Sequence, residues 1–385
     1  MKFLKLILKN PMRRKLRTAL TILGIAVAVI AFGLLRTVVT VWSSSVDAAG
    51  ADRLITRQAV SFTFPLPLAY KTKIEAVPGV KTVCSAAWFG GTYKDRSNFF
   101  ARIALDENAF DVYPEFLLAP AERDAYQKQR NGCVIGRSIA EQYKIKIGDI
   151  MVLDGDIYPG RWEFSVCGIY QPKNKNTDAT QMLFHYDYLN ERLKQDAPGR
   201  DNQVFWYIVK IDAPDQSAAI SERIDALFRN STAETKTETE RAFTQGFISS
   251  SGAIISAMNY MSYAIIGIIM LVLANTMVMS ARERTREYAV LKTLGFSGRH
   301  LTWLILGESL LISCIGGGLG IGLLYPLVAG FEQAIPKGFF PFFFIEPTTI
   351  AMTAGAALLI GVLAAVFPIQ RALHTKIVDG FRFVG

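Results

Sequence analysis

Four uncharged apolar runs organise the chain: Thr18 to Leu35, Ile254 to Ala281, Ser309 to Phe331 and Pro347 to Gln370. Each is long enough to cross the ~30 Å hydrocarbon core of a bilayer, which takes ~20 helical residues. A long, more polar insertion splits them one plus three. The pattern predicts an α-helical membrane protein with four transmembrane helices and one large α+β extracytoplasmic domain on a helical stalk.

The expected order is an amphipathic helix over 1–17, a first span over 18–42, a stalk helix over 43–60 and the exported domain over 61–230. A linker and returning stalk helix over 231–253 then lead into the second span, 254–281. A cytoplasmic coupling segment over 282–300, a third span over 301–331, an external loop over 332–346, a fourth span over 347–370 and a tail over 371–385 complete it. In the first segment Lys2, Lys5 and Lys9 share one helical face, and Phe3, Leu4, Ile7 and Leu8 lie largely on the other, as in a helix lying in the membrane interface. No charge occurs from Ala242 to Ala281. As one helix, at 1.5 Å per residue, that run is about 60 Å long, and its first half is too polar for lipid. Paired stalk helices under the exported domain are therefore expected, with the first running on to about Arg57.

Inside the insertion, periodicity predicts helices over Tyr70 to Val77, Ser138 to Tyr143 and Gln216 to Phe228. Strands are expected over Val80 to Val83, Gly132 to Ile135, Ile150 to Leu153, Trp162 to Tyr170 and Val204 to Ile211. The two ends of the insertion should fold together around a strand-rich middle, with Ser231 to Glu240 as a polar linker.

Charge fixes the expected orientation. Seven basic residues and no acid precede Thr18. Arg282, Arg284, Arg286, Lys292 and Arg299 follow the second span, and Arg371, Lys376 and Arg382 follow the fourth. These stretches exceed the whole net charge of +9, so the insertion is on balance acidic. Basic excess marks the cytoplasmic side, which places both termini and the middle turn inside and the insertion outside. Anionic lipid accounts for the basic excess, and no nucleic-acid partner is expected. The first span is longer than a signal-peptide core and reads as an uncleaved anchor. Four cysteines are too few for a disulfide scaffold; Cys84, Cys133 and Cys167 share the insertion, where at most one bridge could form, and isolated buried thiols are the simpler expectation.

The candidate functional segment follows the second span. Arg282, Glu283, Arg286 and Glu287 continue that helix as a charged surface, Tyr288, Val290, Leu291 and Leu294 add apolar positions, and Gly295 suits a helix terminus. Ser297 should cap the third span. A rigid amphipathic helix on a transmembrane lever is a handle for a soluble motor. Two intramembrane polar residues stand out, Glu308 and Asn275. A buried carboxylate in a span needs a partner, for which Asn275, Arg36 or a polar group of a second protomer are the candidates. Gly316, Gly318, Gly320 and Gly322 contain two G-x-x-x-G pairs, read as helix-packing positions. Phe339, Phe340, Phe342, Phe343 and Phe344 form an aromatic loop, expected to anchor in the interface or to handle amphiphilic cargo. No phosphate-binding G-x-x-x-x-G-K-[ST] motif, catalytic constellation or metal-ligand spacing is present, so no enzyme activity and no cofactor is expected in this chain.

These residues resemble the MacB, FtsX and LolC superfamily of ABC-transporter permeases, the mechanotransmission type. The resemblance rests on Pro11-Met12-Arg13-Arg14 with Leu16 to Leu20 and Leu23-Gly24-Ile25. It continues in Arg286 to Gly295, Gly307-Glu308-Ser309, the glycines from Gly316 to Gly320, Val77-Pro78-Gly79-Val80, and Val134-Ile135-Gly136 leading to Ile147-Gly148-Asp149. Tyr288 and Ala289 depart from the family's usual Ile and Gly. The resemblance implies a MacB-like exported domain with porter-like and inserted subdomains, in a bacterial inner-membrane protein. It implies two permease copies, identical or related, served by separate ATPase subunits that hold ATP and Mg. ATP-driven closure of that motor would pass through the turn to the exported domains. The implied work is export or lipoprotein handling with an adaptor, outer-membrane channel or lipoprotein carrier. The alternative is FtsX-like transmission to an external enzyme such as a cell-wall hydrolase.

Overall fold

The computed structural model describes residues 15–250, 252–334 and 343–374. The expected amphipathic helix before Lys15, most of the tail, and Phe339, Phe340 and Phe342 lie outside them. The chain divides into two compact units: residues 41–251 with 332–342, and residues 1–40, 252–331 and 343–385.

The first of these is built on one sheet. Its path runs through Thr235–Thr239, Arg53–Gln58, Trp206–Ile211, Val80–Trp88, Ala101–Leu105, Gln181–His185, Gly132–Gly136, Gly160–Pro172, Ile150–Gly155 and Gly91–Thr92. Both ends of the insertion do meet: Arg53–Gln58 pairs antiparallel with Trp206–Ile211 on one side and Thr235–Thr239 on the other. The strand-rich middle continues the same sheet through the parallel pairing of Ala101–Leu105 with Gln181–His185.

Side chains alternate between two buried faces, as period-two geometry requires. Leu54, Val83, Ile135, Phe184 and Val209 enter one apolar core, while their neighbours Ile55, Cys84, Val134, Leu183 and Ile208 enter another. Helices Tyr70–Glu75 and Ser217–Leu227 supply the first core with Tyr70, Ile74, Ile220 and Ile224. The Tyr70 and Phe228 rings stack at 3.9 Å. The turn before Val80 requires glycine: Gly79 has φ +93°, and a Cβ there would meet Ile220 Cδ1 at 2.9 Å. Cys84, Cys133 and Cys167 are free and buried, and burial pushes the Cys84 and Cys133 thiols well up.

Two expectations for this unit are corrected. The helix from Lys15 ends at Ala48, and Arg53–Gln58 is a strand rather than stalk helix. The supposed polar linker contains the edge strand Thr235–Thr239. Thr235 and Thr237 are buried because their hydroxyls are satisfied: they donate to Asp225 at 2.9 and 2.7 Å, and Thr237 pairs with Thr56 at 2.9 Å.

The other unit holds four helices long and apolar enough to span a membrane, within Lys15–Val41, Gly252–Glu283, Gly298–Glu332 and Pro347–His374. Small residues set their packing. A Cβ on Gly316 or Gly320 would stand 2.8 Å from Ile25 or 2.7 Å from Val29 of the first span, so this G-x-x-x-G pair lets the helices approach. Within the single chain, a Cβ on Gly318 or Gly322 would meet nothing within 4 Å. The fourth span meets the third through Ser309, Ser313 and Gly317. Ser309 donates to the Gly361 carbonyl at 2.6 Å, Ser313 donates to that of Ala357, and a Cβ on Gly317 would meet the Ala357 Cβ at 2.7 Å. Phe343 is buried, with its ring 5.4 Å from Phe331, so this member of the aromatic loop is turned into the protein instead of anchoring outward. Phe344 is half-buried.

Candidate functional site

The turn after the second span is a short helix, Thr285–Thr293, with a defined stop. Gly295, at φ +87°, donates to the Lys292 carbonyl at 3.1 Å, and Phe296 donates to that of Leu291 at 3.0 Å. This pair of bonds is the Schellman arrangement, in which a left-handed glycine closes the helix end. Ser297 precedes the third span, with its hydroxyl 2.7 Å from the side-chain Nδ1 of His300.

One face of this helix is fixed to the spans. Tyr288 and Ala289 are buried, and Leu291 packs against the membrane unit's core. Burial pushes the Tyr288 hydroxyl up to about 12, with Arg284 pulling it back and Glu308 adding to the rise. Arg284 Nη1 lies 2.7 Å from Glu308 Oε2, both side chains nearly enclosed. This corrects the expected partners of Glu308. Asn275 is exposed on the second span, and Arg36 instead donates to Asn259 at 3.1 Å. Charge-assisted pairing compensates the carboxylate's desolvation, and it binds the coupling helix directly to the third span.

Two further contacts tie the same end of the helix bundle together. Arg17 lies 3.1 Å from Glu283 and donates to Ser280 at 3.2 Å. Lys292 donates to the carbonyls of Ala372 and Leu373 at 3.1 and 3.0 Å, where the fourth helix ends. A cation at a helix C-terminus complements both the open carbonyls and the helix dipole. The basic flanks of the first, second and fourth spans therefore gather at one end of the bundle.

The opposite face of the coupling helix is uncovered. Arg282, Glu283, Arg286, Glu287, Val290 and Leu294 are exposed, Leu294 by 71%. The expected unbroken continuation of the second span does not hold: that helix ends at Glu283, with Arg282 and the Arg17-paired Glu283 in its last turn, and the short helix starts anew at Thr285. On the short helix Arg286, Glu287, Val290 and Leu294, three and four residues apart, make one stripe, charged at its start and apolar at its end. The apolar residues thus divide: Tyr288 and Leu291 serve the fold, whereas Val290 and Leu294 are presented outward.

A family model for the FtsX-like permease C-terminal region matches residues 259–377, and one for the MacB-like periplasmic core domain matches residues 18–227. The chain belongs to the MacB/FtsX-type family of ABC permeases. An uncharacterized ABC transporter permease of Methanocaldococcus jannaschii is 23% identical over 82% of this chain and 81% of its own length. An uncharacterized ABC transporter permease protein of Mycobacterium tuberculosis is 24% identical over 69% of this chain, and the macrolide export ATP-binding/permease protein MacB of Shewanella sp. is 29% identical over 60%. The matches cover only 30% and 34% of the lengths of those two proteins. For a permease of this family the buried position of Tyr288 and Ala289 is informative. The two departures from the usual motif lie on the face turned to the chain's own spans and leave the exposed stripe unaltered.

Sequence reading missed three contributors. No local spacing links Arg284 to Glu308 or Arg17 to Glu283. The third lies in the exported domain, where Arg53 is buried between Glu240 Oε2 at 2.6 Å and Glu115 Oε1 at 2.8 Å. Glu240 also accepts from the Gly50 amide at 2.7 Å and the Tyr113 hydroxyl at 3.2 Å. Burial opposes the Arg53 charge, but Glu240, Tyr113 and Glu115 together outweigh it and hold its pKa above the ordinary arginine value. This cluster joins the backbone just past the first long helix to the first residue of the helix Glu240–Ser250.

Proposed function

We propose that this chain is the permease subunit of an ABC transporter. In this reading a separate ATPase, holding ATP and Mg, grips Arg282, Glu283 and the stripe Arg286, Glu287, Val290 and Leu294, and its closure moves the exported domain. The turn and both chain ends lie in the cytoplasm, the exported domain lies outside the inner membrane, and a second permease copy completes the assembly. The work done is export or lipoprotein handling, with an adaptor, outer-membrane channel or lipoprotein carrier outside. The match to a MacB-like core domain favours this over FtsX-like signalling to an external enzyme.

One observation carries the proposal: the coupling helix is held rigidly on one side and left amphipathic and uncovered on the other. A solvated loop would need neither the Arg284–Glu308 pair nor an exposed Leu294. The test is charge reversal at Arg286 or Glu287, with ATP hydrolysis and transport measured in reconstituted vesicles. Hydrolysis uncoupled from transport, in a chain that still folds and inserts, supports the reading. Transport at the parent level would refute it.

A further inference from the structure

The exported domain contains a cleft of about 840 Å³ that uses none of the coupling residues. This lies within the range of small-ligand sites, roughly 300–1,000 Å³. It opens where the strand Gln181–His185 passes into the helix Tyr186–Asp196, facing Leu68, Ala69, Lys71 and Thr72, the turn at Asp106 and Glu107, Gln127 and Asn202.

Ser85 lines it, is 1% exposed, and has a buried hydroxyl with no hydrogen-bond partner. Buried polar groups are ordinarily satisfied, so this oxygen marks a missing partner. The backbone around it is built, with the Ser85 amide donating to Asp106 Oδ2 at 2.7 Å. The same carboxylate oxygen holds Lys71 Nζ at 2.9 Å, and Asp106 Oδ1 accepts from the Asn108 amide at 3.0 Å. Asp106 and Lys71 therefore largely satisfy one another.

Of the remaining groups, Glu107 and Asp187 can only accept when ionised. His185 Nε2 lies 2.7 Å from the Tyr126 carbonyl oxygen. A carbonyl only accepts, so Nε2 carries a proton and donates it there. Glu107 and Asp187 also line the cleft and make no ion pair among the described residues. Among the described residues no group of three or more histidine, cysteine or carboxylate side chains is placed to hold a metal ion. Two carboxylates without an ion pair and an orphaned hydroxyl fit a cation that donates several hydrogen bonds, and an ammonium has three N–H donors.

We propose that this cleft binds a polar ligand through a primary ammonium group, of the kind carried by a peptide amino terminus or a lysine side chain. Saturation-transfer NMR on the full chain in nanodiscs, without ATP or an ATPase, tests it independently of the coupling mechanism. Three probes separate the sources: trialanine, Nα-acetyl-lysinamide, and N-acetyl-trialanine, which has no amine. Saturable binding of trialanine or of the lysine derivative is expected, and whichever binds names the source, with N-acetyl-trialanine at least tenfold weaker. Ser85→Ala and Asp187→Asn, each checked for an unchanged melting temperature, should weaken binding by about tenfold, as loss of a hydrogen bond to a charged group does. No saturable binding of either amine, equal binding of N-acetyl-trialanine, or parent-level binding in both variants would overturn the proposal.

Discussion

The exported sheet and the membrane bundle bury their apolar residues under different rules. In the sheet, neighbouring residues such as Leu183 and Phe184 are both enclosed, one in each core. In the spans, only 28% to 39% of the most apolar window of each helix is buried within the protein. Water drives the first kind of burial, while lipid tails are as apolar as leucine and leave packing and polar contacts to hold helices together. Accordingly the bundle is fastened by glycines, serines and an arginine–glutamate pair, and its large apolar side chains often face outward. A mutation should therefore be judged by the solvent its side chain would otherwise meet.

The largest contrast should come from truncation. Phe184→Ala, in the aromatic core with Phe89 and Phe164, should destabilise the chain by about 3–5 kcal/mol, read as a lowered denaturation midpoint. Leu323→Ala removes an equally apolar group that is half exposed on the third span, and should shift stability by no more than about 0.5 kcal/mol. Equal losses at the two sites would erase the distinction.

Next in size is the Arg53 cluster. Arg53→Ala leaves Glu240 and Glu115 facing one another without their cation, and breaking such a buried pair costs about 3–5 kcal/mol. Arg53→Met keeps much of the packing and should cost less than Arg53→Ala. A double-mutant cycle on Arg284→Leu and Glu308→Leu should give a coupling of about 1–3 kcal/mol, whereas Glu308→Gln alone should be mild because a hydrogen bond to Arg284 survives. Additive effects there would mean that the pair does not fasten the coupling helix.

The smallest contrast lies within one glycine run. Gly316→Leu must displace Ile25 and should cost about 1–3 kcal/mol by overpacking, whereas Gly318→Leu meets nothing within 4 Å in the single chain. Thermal melting in detergent compares them directly.

Much of this was legible in the sequence, for identifiable reasons. The four spans and the Gly295 terminus follow from hydropathy and from glycine's conformational freedom, both local. Strands such as Gly132–Gly136 and Gly160–Pro172 stood out as apolar runs next to turns. By contrast, Ala101–Leu105 and Gln181–His185 carry no clear local signal and are fixed by pairing with each other and with the strands on either side, Val80–Trp88 and Gly132–Gly136. Thr235–Thr239 looked like a linker because its burial depends on Asp225, ten and twelve residues away in the chain from the threonines it satisfies. Glycine spacing alone could not say that Gly316 and Gly320 would be used while Gly318 and Gly322 stay open. At the coupling site the charged and apolar positions were visible, but which face each occupies was set by packing against distant spans.

The central claim is that the two faces of the coupling helix have different partners. Oxidative cross-linking of single-cysteine chains to cysteines placed on the cognate ATPase tests it most directly. Leu294→Cys, on the uncovered face, should form a cross-link whose yield changes with ATP, whereas Ala289→Cys, fully buried against the spans, should form none. Cross-linking from Ala289→Cys, or none from Leu294→Cys when the two proteins are assembled, would contradict the account.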